Sequence, residues 1–400
     1  MKKLLVILLM ISLISLPGCW SGFEIDTLAI IIAMGIDKSE GGYFLTLQIL
    51  NPSAIAAKEP STAAPVVLYS EEGKDLKEIM RKIHEKSGRR IYSAHLQLVV
   101  FSEEIVEEGI NDALDFFARF NEFRTDFYFI VAKGTTARNV LSILTPLHQI
   151  PGIKLHESLK NSEQLWAPTK SVRIVELVNA IVAEGKEPVL TGVEVTEEVA
   201  NVKLPTKSLE SLQKSEIENT TKYFGLGVFK EDKLIGWLNE EESKGYNYVI
   251  GNVNNTVGYI NYGDKVKITG EVTNAKSVMK ASLEEGKPAI DVVINMTLNV
   301  GAVEGEFDVS KEENIDIFNE LAEKKIKLMC EKTVDKAQNE FNADIFGFGE
   351  VIRRKYPKLW KEIEDDWDNE FPDLPVNITV KAKTNQLGQI TKPFFIKEKE

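Results

Sequence analysis

Cysteine and histidine are scarce in this chain, with two cysteines and four histidines among 400 residues. So few thiols exclude a disulfide framework, and Cys19 and Cys330 are too far apart to suggest a metal cluster. None of His84, His95, His148 and His156 stands in H-E-x-x-H or another paired ligand spacing. His148 and His156 face each other across Pro151 and Gly152 in the sequence, which is weak evidence for a metal. They read more simply as surface or hydrogen-bonded side chains. Basic residues are outnumbered, 48 Lys and Arg against 61 Asp and Glu, for a formal net charge of −13. A surface this acidic repels phosphate backbones, so no nucleic acid partner is expected.

Enzyme motifs are missing as well. There is no G-x-S-x-G elbow. Gly225 and Gly227, and Gly347 and Gly349, do not continue to a third glycine or to Gly-Lys-Ser/Thr, so dinucleotide and phosphate-loop readings fail. Both pairs read as turns or close backbone contacts. The acidic runs Glu240–Glu242 and Glu364–Asp366 read as solvated helix faces rather than an acid/base pair, and they lack the spacing of a calcium loop. Cys330 lies beside an apolar helical stripe and reads as a small buried hydrophobe. The expectation is a non-enzyme with no catalytic residue, cofactor or resident metal.

What is present begins with an address. Lys2 and Lys3 precede an apolar stretch, Leu4 to Leu16, that falls short of the roughly 20 residues of a membrane span. It matches a secretory h-region and closes on Leu16-Pro17-Gly18-Cys19, the pattern of a bacterial lipobox. Residues 1–18 are therefore expected as a lipoprotein signal peptide, and the Cys19 thiol as the lipidation site. A plain signal peptide cut elsewhere and an uncleaved anchor are the other readings. Two or three acyl chains, at about 0.8 kcal/mol per buried CH₂, hold an exported acidic body on a membrane without a basic patch.

No later apolar run reaches the length of a span. Hydrophobic content of 43% and charged content of 27% fit a folded globular body. Strand patterns at 25–36, 43–50, 95–101, 125–132 and 188–195 alternate with helical ones. Asp75 and Glu78 suggest a capping box for a helix ending at Gly88, with Leu76, Ile79, Met80 and Ile83 inward. Ser102 is expected to cap one helix running to about Phe120, and Ser171 to Gly185 reads as another. Residues 196–221 are polar and weakly periodic and read as a connection. Beyond it come a hairpin around Lys230–Lys233 and a short helix at Glu240–Glu242 ended by Gly245. Long strands are expected at 266–273 and 289–303, a helix capped by Ser310 runs to about Phe341, and 376–382 is a last strand. The resulting domains are 19–195, mixed α/β; 196–221, linker; 222–264, small and β-rich; and 265–400, a sheet with a long helix. The fold class is α+β.

Several stretches, in order, resemble one family. They are Gly18-Cys19-Trp20; Leu28-Ala29 leading to Gly35-Ile36-Asp37; Gly88-Arg89-Arg90-Ile91 with His95-Leu96-Gln97; and Asp115-Phe116-Phe117-Ala118-Arg119 leading to Arg124. Lys233-Leu234-Ile235-Gly236-Trp237-Leu238 follows, with Glu241 and Gly245. Last come Asp344-Ile345-Phe346-Gly347-Phe348-Gly349 and Tyr356-Pro357-Lys358-Leu359-Trp360, with Trp367 and Phe371. The series resembles the Ger(x)C lipoproteins, the C subunits of spore germinant receptors. Ser21-Gly22-Phe23 and Pro17 depart from the common pattern, in the anchor region only. The resemblance implies three mixed α/β domains in an extended arrangement, not a standard superfold. It implies a lipid anchor on the outer face of the spore inner membrane, multipass A and B receptor subunits as partners, and a response to small nutrients. It carries over no catalytic residue. Arg89, Arg90 and His95 are the candidate partner contact, since adjacent arginines make planar contacts with carboxylates; an internal salt bridge closing the Gly88 turn is the competing reading. A lipid-anchored solute-binding protein for a small nutrient is the alternative class, although the halves of the chain show no lobe symmetry.

Overall fold

The computed structural model describes residues 27–55, 63–197 and 219–387. Cys19, the leader and most of the expected linker lie outside the described residues. The architecture is α+β, built among the described residues on a ten-stranded and a four-stranded sheet with no closed barrel.

The first sheet opens with β1 (Leu28–Ser39), β2 (Gly42–Leu50) and β3 (Val66–Gly73). β1 and β2 pair antiparallel, as their patterns suggest, with Ile36 opposite Leu45. Alternation along β2 predicts a half-buried strand, yet Thr46 and Gln48 are as buried as Leu45 and Leu47. The polar positions of β2 face a second layer: the Gln48 side chain donates to the Leu141 carbonyl at 2.8 Å and accepts from the Gly152 N–H at 2.9 Å. Such bonds remove most of the cost of burying an amide.

Helix α1 (Leu76–Ser87) follows, with the Asp75 carboxylate accepting from the Glu78 N–H and Gly88 closing it at φ 62°. Then come β4 (Arg90–Tyr92), β5 (Leu98–Ser102), α2 (Glu103–Glu108), α3 (Asn111–Arg119), β6 (Tyr128–Ala132), α4 (Ala137–Leu141), α5 (Pro151–Leu165), β7 (Val172–Arg173), α6 (Ile174–Val182) and β8 (Val189–Glu197). The single helix expected after Ser102 is two helices. Gly109, at φ 126°, breaks it because the Asp232 carboxylate lies against the turn and accepts from the Asn111 N–H at 3.0 Å. The Ser102 side chain makes no cap bond.

Parallel strands β1, β5, β6 and β8 form the centre of this sheet. Adjacent residues along β5 and β6 point to opposite faces, and both faces are covered. Val99, Phe101 and Phe129 pack under α1, α3 and α6, whereas Leu98, Val100 and Ile130 pack under α4 and α5. This double burial explains the unbroken apolar runs. The hairpin β9 (Asn219–Lys230) and β10 (Lys233–Leu238) forms as expected and adds to the β8 edge.

After it, α7 (Glu240–Ile250) is longer than its acidic start suggested. Asn239 and Glu242 form a reciprocal capping box, and Gly251 at φ 75° ends the helix. Gly245 does not terminate α7; it is where α7 crosses the later long helix, and a Cβ there would collide with Thr333. The second sheet comprises β11 (Thr256–Tyr262), β12 (Val266–Glu284), β13 (Lys287–Glu304) and β14 (Val376–Gln386), in spatial order β11-β12-β13-β14. The stretch 222–264 is therefore divided: its hairpin extends the first sheet and its last strand edges the second.

Helix α8 (Glu312–Asp335) continues through a π-helical turn to Phe341 and lays Phe318, Ala322, Ile326, Met329 and Thr333 inward. Ser310 does not cap it. Its hydroxyl bonds Asp308 at 2.6 Å, and Lys311 holds the cap position. Cys330 is fully buried, and burial pushes its thiol well up. Helices α9 (Phe348–Lys355) and α10 (Pro357–Ile363) complete the cover.

Candidate functional site

Among the residues singled out for contact, Arg89 is exposed beside the Gly88 turn, and its backbone is tied to the Ser87 hydroxyl. Arg90 opens β4, which pairs with Leu28 of β1. His95 sits past β4 with its ring edge-on to Tyr92, centroids 5.7 Å apart. The three do not line one cleft. Arg90 instead joins a cleft of about 520 Å³ with Lys77, Arg81 and His84 of α1 and Arg119 of α3, and neither Arg89 nor His95 lines it.

The local sequence explains the cleft. Leu76, Ile79, Met80 and Ile83 bury one face of α1, so Lys77, Arg81 and His84 occupy the other at helical spacing. Phe117 anchors α3 among four further phenylalanines, 5.2 Å from Phe123 and 5.5 Å from Phe127 between centroids. That anchoring leaves the C-terminus of α3 beside α1. Asp115 holds the Arg119 guanidinium at 2.7 Å, one turn back. Among the described residues, Lys77 and Arg81 have no carboxylate within 4 Å. Among the described residues, Glu122 is the one acid lining the cleft. On a chain of net charge −13, this is a concave basic surface suited to an acidic group. Sequence reading found Arg90 but missed Lys77, Arg81 and Arg119. The spacing of Lys77 and Arg81 on the polar face of α1 was the available signal.

The motif from Asp344 to Gly349 builds a joint between the two halves. The Asp344 carboxylate accepts from the N–H groups of Gly347, Phe348 and Gly349 at 2.9, 3.0 and 2.8 Å and so starts α9. Gly349 lies against Gly185, before β8, and a Cβ on Gly349 would come 2.6 Å from the Gly185 Cα. The Glu187 N–H donates to the Asp344 carbonyl at 2.8 Å. Burial pushes the Asp344 carboxyl up to about 6 and Glu187 up to about 7, against the N–H groups that favour their charged forms. Asp37, another motif residue, accepts from the Ala137 and Arg138 N–H groups at 2.6 and 3.0 Å. Several residues that carry the family resemblance thus fasten elements to one another.

Remaining titratable groups are dispersed. His148 lies 3.6 Å from Glu157, and His156 stacks on Tyr128 with centroids 5.1 Å apart. Among the described residues no three His, Cys, Asp or Glu side chains group as metal ligands, and no helix is long and apolar enough to cross a membrane.

Comparison with known proteins shows the family of the chain. Residues 22–195 match the family described as "Spore germination protein N-terminal domain", and residues 224–388 match "Spore germination B3/ GerAC like, C-terminal". Spore germination protein KC of Bacillus subtilis (strain 168) is 32% identical, over 98% of this chain and 97% of its own length. Spore germination protein B3 of the same organism is 23% identical over 95% of this chain and 96% of its own. The solved GerBC protein superposes with a TM-score of 0.53 at 20% identity, covering 88% of this chain and 96% of that one, and so shares the fold. The fold and sequence together define a spore germination protein of the GerAC-like class. The chain belongs to the Ger(x)C family.

Proposed function

We propose that this protein is the lipid-anchored, non-catalytic C subunit of a nutrient germinant receptor. It is tethered through Cys19 on the outer face of the spore inner membrane and assembles with the multipass A and B subunits. The observation that carries this reading is the end-to-end match, at 32% identity, to a protein named for spore germination. The position of Cys19 directly after an apolar leader supports the tether. The basic cleft supports an assembly role, because Lys77 and Arg81 offer an acidic partner segment complementary charge.

Two variants in the producing organism test the reading. Cys19→Ala is expected to lose labelled fatty acid, leave the membrane fraction and abolish nutrient-triggered germination through this receptor. Arg81→Glu combined with Arg90→Glu is expected to keep the lipid but lose co-purification with the multipass subunits. A Cys19→Ala chain that stays on the membrane and germinates normally overturns the anchor. A charge-reversed chain that still co-purifies overturns the cleft as the contact.

A further inference from the structure

The second sheet leaves one of its faces open. Side chains alternate along a strand, so the neighbours of core residues point the other way. Met279, Val292 and Ile378 stand in one row across β12, β13 and β14 and pack in the core. The rows between such residues cross the opposite face, which no described element covers. In order they are Asn274-Thr297-Lys383, Lys276-Asn295-Lys381, Val278-Val293-Thr379 and Lys280-Asp291-Asn377.

Lys276, Lys280, Lys381 and Lys383 are all exposed on this face. With strands about 4.8 Å apart and alternate residues about 6.7 Å apart, they spread over roughly 10 by 20 Å. Among the described residues none of the four has a carboxylate within 4 Å. Asp291 is the one acid in these rows, and the Asn377 amide donates to it at 3.2 Å. Four lysines against one aspartate leave a local excess of three positive charges, on a chain whose formal net charge is −13. The net charge conceals this patch because the acids lie elsewhere. Glu313, Asp316 and Glu320 are exposed on α8, on the covered side of the sheet. That places them about a helix diameter behind the lysines, at or beyond the Debye length of about 10 Å at 0.1 M salt. Lysines on an edge strand also deter pairing with a further strand, which suits Lys381 and Lys383 on β14. Lys276 and Lys280 stand on β12, inside the sheet order, where that reason does not apply.

We propose that this face lies against an anionic lipid bilayer, with the four lysines set among the headgroup phosphates. The charges are spread over an open sheet surface and do not converge on a point, as an array of phosphates requires. The four rows contain no arginine. An arginine fork selects a planar carboxylate, whereas a lysine is a mobile point charge that suits a fluid layer of phosphates. Val278, 49% exposed, adds an apolar side chain between Lys276 and Lys280. The contact goes beyond the Cys19 tether. Acyl chains hold the chain near the surface, and this face fixes which side of the second half meets it.

Vesicle flotation tests the face apart from the tether. The chain from residue 19 onward with Cys19→Ser cannot be acylated there and keeps every described element. At about 0.1 M salt it is expected to float with vesicles of phosphatidylglycerol and phosphatidylcholine in equal parts, to stay behind with phosphatidylcholine alone, and to be released at about 0.5 M salt. Lys276→Gln and Lys381→Gln should each weaken the partition about five-fold, and the fourfold Lys→Gln chain should no longer float. Melting temperatures should not move, since all four side chains are exposed. Lys77→Gln combined with Arg81→Gln, in the cleft of the first half, should leave flotation unchanged. No flotation with the anionic vesicles overturns the proposal. So does equal flotation with neutral vesicles, flotation that survives the fourfold substitution, or its loss in the cleft variant. A fourfold variant that loses co-purification with the multipass subunits while the unsubstituted chain fails to float assigns the face to a protein partner, and overturns the proposal as well. Because the vesicles hold neither acyl-linked chain nor receptor subunit, failure here leaves the tether and assembly readings to their own tests.

Discussion

The two sheets of this molecule solve the burial problem differently. In the first, a parallel centre is covered on both faces, so Phe129 and its neighbour Ile130 are both fully buried, in different layers. In the second, the long β12–β13 hairpin buries one face against helices. Ile294 is fully buried there while Asn295 is exposed, and Val278 reaches the surface at 49% exposure. A doubly covered sheet has little room for anything but packing, and its candidate contact surface lies out on α1 and α3. A singly covered sheet depends on how well its helices fit, and a pocket of about 360 Å³ remains between α7, α8, β11 and β12. The difference separates two concave surfaces by kind: a charged cleft on the first half, an open apolar pocket in the second.

The sharpest way to break this comparison is a pair of adjacent alanine substitutions in each sheet. Phe129→Ala and Ile130→Ala should each destabilise the first half, by about 3–5 and 2–5 kcal/mol, since both faces lose packed volume. Ile294→Ala should cost about 2–5 kcal/mol, whereas Asn295→Ala should stay within about 0.5 kcal/mol. Urea denaturation midpoints check all four. A neutral Ile130→Ala would mean that the α4–α5 layer does not seal its face.

A smaller effect is expected where the halves meet. Gly349→Ala drives a methyl group into Gly185 and the Trp360 ring, and should cost about 2 kcal/mol. Gly185→Ala meets the same ring at 2.5 Å and also adopts φ 76°, and should cost about 3 kcal/mol. Gly134→Ala is the control: its φ is 63° and its Cβ would meet nothing within 4 Å, so only about 1 kcal/mol of backbone strain is expected. Thermal melts rank the three. Equal costs at Gly134 and Gly349 would remove the case for a tight joint.

Much of this fold was legible in local patterns, and the exceptions share a cause. The caps at Asp75 and Gly88, the β9–β10 hairpin, the inward stripe of α8 and the core position of Cys330 depend on residues close in sequence or on simple periodicity. Where the reading and the structure differ, a distant residue decides. Gly109 breaks a helix because Asp232 arrives from the β9–β10 turn. Gly245 sits inside a helix because Thr333 crosses it. Gln48 is buried because α4 and α5 supply its partners. The helix α5 carries only a weak apolar stripe, Leu155 and Leu159, which gives no helical signal in the sequence. The candidate cleft was visible only through Arg90, since the other cations come from two helices that fold together. The pocket of the second half had no local signal, because α7, α8, β11 and β12 bound it only once they are packed together.

The gentlest probe of the joint is pH, and its sign follows from the two buried acids. Glu187, whose carboxylate accepts from the Glu231 N–H at 2.6 Å, is held up to about 7 chiefly by desolvation, and the Asp368 carboxylate adds to the effect while Lys230 opposes it. Asp344 is held up to about 6 by burial. An acid whose folded pKa lies above its unfolded value binds more protons when native, so stability is full below the unfolded pKa and falls as pH rises through the folded one. For Asp344 the fall runs from about pH 4 to about 6, and for Glu187 from about 4.5 to about 7. Between about pH 5 and about pH 8 the joint should lose about 1–2 kcal/mol, with Glu187 discounted for its partial exposure. Glu187→Gln keeps an acceptor for the Glu231 N–H and removes the ionisation, so its denaturation midpoint should change less over this interval than that of the unsubstituted chain. Asp344→Asn is the poorer test, because both carboxylate oxygens are in use and an amide nitrogen cannot accept the Gly349 N–H. Measured as urea midpoints at the two pH values, an unaltered slope in Glu187→Gln would show that the joint between the sheets is not where the pH sensitivity resides.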